Sequence, residues 1–208
     1  QTFCLQQRVP EQLERRNKEL RRVRTYIRSK KQKTVFEQNF LSQFDAQAAR
    51  AEEAFSMLDN ENYERYYCHA VEEGCMLHGN FTHHSVLLLP EGSMAVTGFD
   101  KAETGIRIQD FYQLFRKIME KWDWDASLGE SMLETYQKIR PVPKEEWQLL
   151  QVMLIYPEKF WKIANFYYNS GKAWIPGKNQ EKLEILVEQE KDKQHFLEEV
   201  FRDVTKLR

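Results

Sequence analysis

The stretch LHGNFTHHSVLL, residues 77–88, combines a glycine, three of the five histidines of the chain and an apolar run. The turn sequence PEGS follows at residues 90–93, and a second apolar run occupies residues 94–99. Two short apolar runs joined by turn residues are typical of a β-hairpin. The sequence therefore predicts a loop, a strand, a tight turn and a second strand within residues 74–105.

Helical periodicity dominates the chain on both sides of this hairpin. Apolar residues at helical spacing run through residues 13–27 and again through residues 36–58, which predicts two long helices within residues 10–62. A series of amphipathic helices is predicted over residues 106–208. The fold class is mostly α with a small β-hairpin, and residues 1–208 are expected to form a single domain.

Composition narrows the range of functions. The 208 residues are 41% hydrophobic and carry a net charge of -1, which is typical of a globular protein and gives no overall attraction to nucleic acid or anionic membranes. Three cysteines argue against a disulfide framework and suit a reducing compartment. No run of about 20 apolar residues predicts a membrane span. No signal-peptide pattern opens the sequence. The chain starts at Gln1 without an initiator Met, which we interpret as a fragment or a trimmed N-terminus.

A metal site is one interpretation of the histidine-rich loop. Zinc sites usually pair Cys and His at short spacings, and only the Cys75–His78 spacing fits loosely. The alternative, which the spacing favours, is a free cysteine with loop histidines. The residues concerned are Cys68, His69, Cys75, His78, His83 and His84.

A phosphoryl-transfer loop is a second interpretation. Kinase-like folds carry a His, a catalytic Asp and, five residues after that Asp, a metal-binding Asn, and a following hairpin ends in a second metal-binding Asp. In this chain His78 occupies the first position, but Asn80 replaces the catalytic Asp and Ser85 replaces the Asn. Gly98 stands at the hairpin Asp position. An amide cannot act as a base. The chain therefore keeps the spacing of a phosphoryl-transfer loop but lacks its catalytic side chains.

Two further carboxylates could serve such a loop. Asp100 lies two residues after Gly98 and would lie on the same face if the strand continued, so it is a weak candidate for Mg²⁺ if the protein is active. Asp110 lies where kinase folds keep an Asp that braces the loop from a helix. We expect His78 and Asp110 to hold the loop in place.

Four segments carry a resemblance to the CotS-type spore coat proteins of endospore-forming bacteria, which are similar in fold to aminoglycoside phosphotransferases and choline kinases. The segments extend from about residue 10 nearly to the end of the chain. They read RVRTYIRSKKQKTVFEQNFL, LHGNFTHHSVLL, GFDKAETGIRIQDFYQLFRKIMEKWDWD and YPEKFWKIANFYYNSGKAWIPGKN. The usual loop of the family reads HGD with an Asn five residues after the Asp, and this chain departs from it at Asn80 and Ser85 and also lacks the Asp at position 98.

The resemblance implies that residues 1–208 form the C-terminal, helical lobe of a protein-kinase-like fold. No strand is predicted before residue 63, and no glycine-rich phosphate loop or strand lysine is found there. The N-terminal β lobe is therefore expected to be absent from this chain, either because it lies upstream or because it has been lost.

The first functional hypothesis is a pseudokinase: a non-catalytic structural or protein-interaction component of the spore coat. The resemblance implies a spore coat location reached from the mother-cell cytoplasm, with other spore coat proteins as partners and no cofactor. Trp124 and Trp174 are predicted to be surface tryptophans that could anchor a partner.

The second hypothesis is a small-molecule phosphotransferase that uses ATP and Mg²⁺. It would employ Asp100 as a metal ligand and His83 or His84 as the base.

Nucleic-acid binding is a third hypothesis, because residues 1–34 contain eleven Lys and Arg against three Glu. No nucleic-acid reader motif accompanies these charges, and such binding would be unspecific. A solvated helix face that pairs with acidic neighbours is the favoured interpretation.

Overall fold

The computed structural model describes residues 4–169 and 176–202. Within these ranges the chain forms eight helices and two small sheets. The helices are α1 Val9–Ser29, α2 Val35–Ser56, α3 Asn60–Glu72, α4 Ile108–Lys121, α5 Ala126–Ile139, α6 Lys144–Ile155, α7 Glu158–Asn169 and α8 Pro176–Arg202. The strands are β1 Cys4–Leu5, β2 Met76–Leu77, β3 Val86–Leu88, β4 Met94–Val96 and β5 Glu103–Thr104.

A three-stranded sheet in the order β1, β5, β2 lies next to the histidine-rich loop. Strand β1 runs parallel to β5, with Cys4 opposite Glu103, and β2 runs antiparallel to β5, with Leu77 opposite Glu103. The prediction that no strand precedes residue 63 is therefore wrong. A two-residue strand is too short to show any periodicity in the sequence, and it forms here only because β5 supplies its hydrogen bonds.

The predicted hairpin is confirmed as β3 and β4. Val86 lies opposite Val96 and Leu88 opposite Met94, and the turn joins them at residues 89–93. The hairpin is largely exposed to solvent, with Leu88 79% and Met94 70% exposed.

Capping residues set the helix boundaries. Thr34 caps α2 in a capping box with Glu37. Asp59 caps α3 by accepting a hydrogen bond from the amide of Asn62, so this helix begins at Asn60. Gly74 follows α3 with φ +65°, a conformation that favours glycine, and turns the chain towards β2.

The core consists of two apolar clusters. One is formed by α3 to α6, the start of α1 and the ends of α2 and α8, and contains the fully buried Phe115 and Leu150. The other joins α1, α2, α7 and α8, where Phe40 stacks on Phe160 with ring centroids 4.7 Å apart. Helix α4 packs in the first cluster, and its first turn contacts the loop after β2.

Trp124 contradicts the surface prediction. It is only 5% exposed and packs against Phe196, whereas Trp122 is 59% exposed. Asp123 and Trp124 both have positive φ, and this sharp turn after α4 brings the Trp124 ring inward. Trp174 lies outside the described residues.

Several residues of the basic N-terminal stretch pair with acidic residues of the same chain. Arg24 contacts Asp45 at 2.7 Å, and Lys30 contacts Glu37 at 2.6 Å. The favoured interpretation of these charges, a helix face that pairs with acidic neighbours, is therefore confirmed for these residues. None of the helices in the described ranges has the length and apolar character that crossing a membrane requires.

Candidate functional site

The loop that follows β2 enters a tight turn at Gly79. Gly79 has φ +75°, and a Cβ at this position would overlap the backbone carbonyl of Lys101. Both the conformation and the close approach require glycine. The turn reverses the chain after β2 and directs residues 80–85 back towards the hairpin.

Asp110, in the first turn of α4, holds the tight turn at Gly79 in place through its carboxylate. Its Oδ2 accepts a hydrogen bond from the backbone amide of His78 at 2.6 Å, and its Oδ1 accepts one from the amide of Gly79 at 3.1 Å. Burial raises the pKa of Asp110, although the two backbone hydrogen bonds act in the opposite direction. One side chain thus orients two consecutive backbone amides.

The ring of His78 ties the loop to the hairpin. His78 is 6% exposed, and its Nε2 lies 2.8 Å from the carbonyl oxygen of Thr97. Its Nδ1 accepts a hydrogen bond from the amide of Asn80 at 3.2 Å. Because a carbonyl oxygen accepts only, these partners assign the proton to Nε2 and the lone pair to Nδ1. His78 therefore serves as a link between two backbone segments.

Asn80 and Ser85 frame the loop. The Asn80 side chain is exposed, and its backbone carbonyl accepts a hydrogen bond from Ser85 Oγ at 3.3 Å. Ser85 is 8% exposed, and its backbone carbonyl accepts a hydrogen bond from the Thr97 amide. The Ser85 hydroxyl thus forms a hydrogen bond within the loop.

Gly98 and Asp100 follow the end of β4. Gly98 has φ +85°, and the next three residues form a 3-10 turn, Phe99–Lys101. The strand does not continue past Val96, so the expectation that Asp100 continues the strand face of residue 98 is wrong. Asp100 is exposed, and the neighbouring Phe99 packs against the His78 ring at 4.8 Å.

The other histidines of the loop, His83 and His84, lie on the surface, with ring centroids 3.9 Å apart. Burial, followed by the nearby charge of His84, lowers the pKa of His83. Across residues 4–169 and 176–202, no three His, Cys, Asp or Glu side chains come together in a group that could hold a metal ion.

Two cavities flank the loop. An apolar groove of about 670 Å³ lies on the side of His78 and Phe99 and extends to Ile139 on α5. A polar cavity of about 330 Å³ lies on the side of Gly79 and Asn80. The charged residues that line the polar cavity are Arg16, Glu103, Arg116, Lys117, Glu158 and Lys162.

The charged cluster of the polar cavity was missed by sequence reasoning. Arg16 lies in the basic stretch that was expected to face solvent, yet its side chain is only 14% exposed and contacts Glu158 at 3.5 Å. Arg116 lies on the buried face of α4, directly after Phe115. In the sequence, the only sign of this cluster was Arg116, a charged residue on an otherwise apolar helix face. The other members could not be connected with it, because they come from distant parts of the chain.

Comparison with known proteins identifies the family of the chain. Residues 10–200 match the family described as "Spore coat putative kinase YutH". Spore coat protein S of Bacillus subtilis (strain 168) is 27% identical over 168 residues, which are 80% of this chain and 48% of that protein. The chain thus spans about half the length of this curated relative.

A solved structure shares the fold. The crystal structure of an aminoglycoside phosphotransferase from Alicyclobacillus acidocaldarius superposes with a TM-score of 0.84 at 21% identity, over 97% of this chain and 60% of that one. At this identity the likeness shows the kinase-like fold alone. The resemblance found in the sequence, and the spore coat location that it implied, are confirmed. The chain belongs to the YutH family of spore coat proteins with a kinase-like fold.

Proposed function

We propose that this chain is the helical, C-terminal lobe of a kinase-like fold and acts in the spore coat as a non-catalytic protein-interaction component. The observation that carries the proposal is the combination of a fully braced loop with missing catalytic side chains. His78 and Asp110 make the hydrogen bonds that fix the loop, while Asn80, Ser85 and Gly98 stand at the catalytic and metal-binding positions.

The chemistry of these three positions supports the absence of phosphotransfer. An Asn at position 80 cannot accept the proton of a substrate hydroxyl, a contribution usually worth about 10²–10⁴ in rate. The Ser85 hydroxyl already donates to the Asn80 carbonyl, and Gly98 offers no ligand atom. Loss of the metal ligands would remove electrostatic stabilisation of at least similar size. On this proposal the protein needs neither ATP nor Mg²⁺.

The hairpin supports a role in protein contact. Leu88 and Met94 face each other across β3 and β4 and are both largely exposed, and Val96 lies on the same face of the hairpin. Leu87, paired with Ala95, is exposed on the opposite face. Exposed apolar patches of this kind are typical of protein interaction sites. We propose other spore coat proteins as the partners. In a pull-down with solubilised coat proteins, Leu88→Lys should lose partners that the exposed-surface control Lys138→Glu retains.

A thermal-shift titration with ATP, with and without Mg²⁺, tests the proposal. A ligand at about 100 times its Kd adds about 2.7 kcal/mol, which is roughly 5–10 °C for a domain of this size. We expect no Mg²⁺-dependent shift in the unaltered chain. The triple variant Asn80→Asp, Ser85→Asn, Gly98→Asp is the matched comparison, and a shift only in that variant would locate the loss in these residues.

A Mg²⁺-dependent shift in the unaltered chain would instead support the alternative, a small-molecule phosphotransferase using ATP and Mg²⁺. In that case Asp100→Asn should abolish the shift. Replacing His83 and His84 with Ala should then lower turnover without changing the shift, because the alternative gives them the role of base.

A further inference from the structure

The polar cavity has an excess of positive charge. It lies between α1, the loop after β2, α4 and α7, and four cationic side chains line it against the two carboxylates of Glu103 and Glu158. Its volume of about 330 Å³ falls at the lower end of the range of small-molecule sites. A site of this size and charge suits a small anion.

Glu158 does not offset this excess fully. Its carboxylate contacts Lys162 at 2.5 Å, Arg16 at 3.5 Å and Arg116 at 3.7 Å, and it accepts a hydrogen bond from the Tyr112 hydroxyl at 2.8 Å. Burial acts to raise the pKa of Glu158, but these cations hold it well below its usual range. One carboxylate thus faces three cations.

Two guanidinium groups have unused donors. The Nε atoms of Arg16 and Arg116 are buried and have no hydrogen-bond acceptor among the described residues. Glu120, outside the cavity lining, pairs with Arg116 through Nη1 and leaves the Nε free. A buried donor without a partner is costly, so an incoming acceptor would be favoured at this place.

The rim of the cavity adds charge and uncharged polar groups. Lys117 is exposed at the cavity and takes part in no ion pair within the described ranges. Gln12, Asn80 and Gln113 add side-chain amides, which can bind hydroxyl groups. We propose that the polar cavity binds a small organic anion that carries hydroxyl groups, of the sugar phosphate class. This binding requires no phosphotransfer and stands apart from the proposed coat function.

Isothermal titration calorimetry tests the proposal with four probes: glucose 6-phosphate, inorganic phosphate, glucose and spermidine. Glucose 6-phosphate should bind, inorganic phosphate should bind more weakly, and added salt should weaken both. Glucose, which lacks the charge, and spermidine, a polycation, should not bind. Absence of binding by both anions in the millimolar range would overturn the proposal, as would binding of spermidine with similar affinity.

A pair of charge reversals on α4 locates the site. Lys117→Glu should weaken glucose 6-phosphate binding by about tenfold or more, since charge complementarity of this kind is worth about 1.4 kcal/mol or more. Lys121→Glu is the matched control, because Lys121 is exposed one helical turn further on and does not line the cavity. Equal effects of the two variants would show unspecific surface attraction and would overturn the assignment.

Discussion

Replacing Asp110 with Ala should release the loop after β2 while the helical body stays folded. The substitution removes the acceptors of the His78 and Gly79 amides, which lie 2.6 and 3.1 Å from the two carboxylate oxygens. Leaving a buried donor without a partner costs about 1–3 kcal/mol. Because Asp110 is only partly buried and water can replace one bond, we expect a total loss of about 2–4 kcal/mol in the free energy of unfolding.

Urea denaturation measures this loss, and hydrogen exchange of the two amides locates it. Asp110→Asn keeps one carbonyl oxygen as an acceptor, so it should lose about half as much and expose one amide. Asp100→Ala, at an exposed position ten residues earlier, should change stability by less than about 0.5 kcal/mol. If the exchange of the His78 and Gly79 amides is unchanged in Asp110→Ala, the bracing role is refuted.

Three other predictions concern the core and the loop. Glu158→Gln should cost about 3–5 kcal/mol at neutral pH, since it leaves buried cations unpaired. In the folded protein the pKa of Glu158 is below its ordinary value of 4.5. The difference in unfolding free energy between the unaltered protein and Glu158→Gln should therefore have its full size above pH 4.5 and shrink as the pH falls below that value. Denaturation at several pH values measures it. Gly74→Ala should cost roughly 1–2 kcal/mol, because Gly74 has a positive φ but open space around it. Gly79→Ala should displace the loop and destabilise the protein by several times as much, because Gly79 has a similar φ and its added Cβ would overlap the Lys101 carbonyl. Thermal unfolding of both variants checks this difference. Phe40→Ala should lower the free energy of unfolding by about 3–5 kcal/mol, and an equal loss in an exposed-residue control would contradict the packing argument.

The hairpin and the long helices were predictable because their signals are local. The turn sequence at residues 90–93 separates two apolar runs, and the periodicity of α1 and α2 extends over many turns. The pairing of Asp110 with the loop was expected from resemblance, since 30 residues separate Asp110 from Asn80 and no local pattern connects them. The structure places its carboxylate at the two amides.

The elements that could not be predicted depend on contacts between distant parts of the chain. Strand β1 has two residues and exists through its pairing with β5. The cluster around Glu158 draws charged residues from three helices that are distant in the sequence, and apart from Arg116 on the apolar face of α4 no local pattern marks them. Asp100 failed as a strand continuation because Gly98 adopts a left-handed conformation, which the sequence permits but does not require.

The hydrogen bonds of the loop show which of its side chains hold it in place. Asn80 takes part through its backbone amide, which donates to His78, and its backbone carbonyl, which accepts from Ser85, while its side chain is exposed. The identity of the side chain at position 80 therefore has little effect on loop stability. Asp110 differs, because its side chain itself supplies the acceptors. On our proposal, selection for a stable coat protein would retain Asp110 and His78 and leave position 80 free to change.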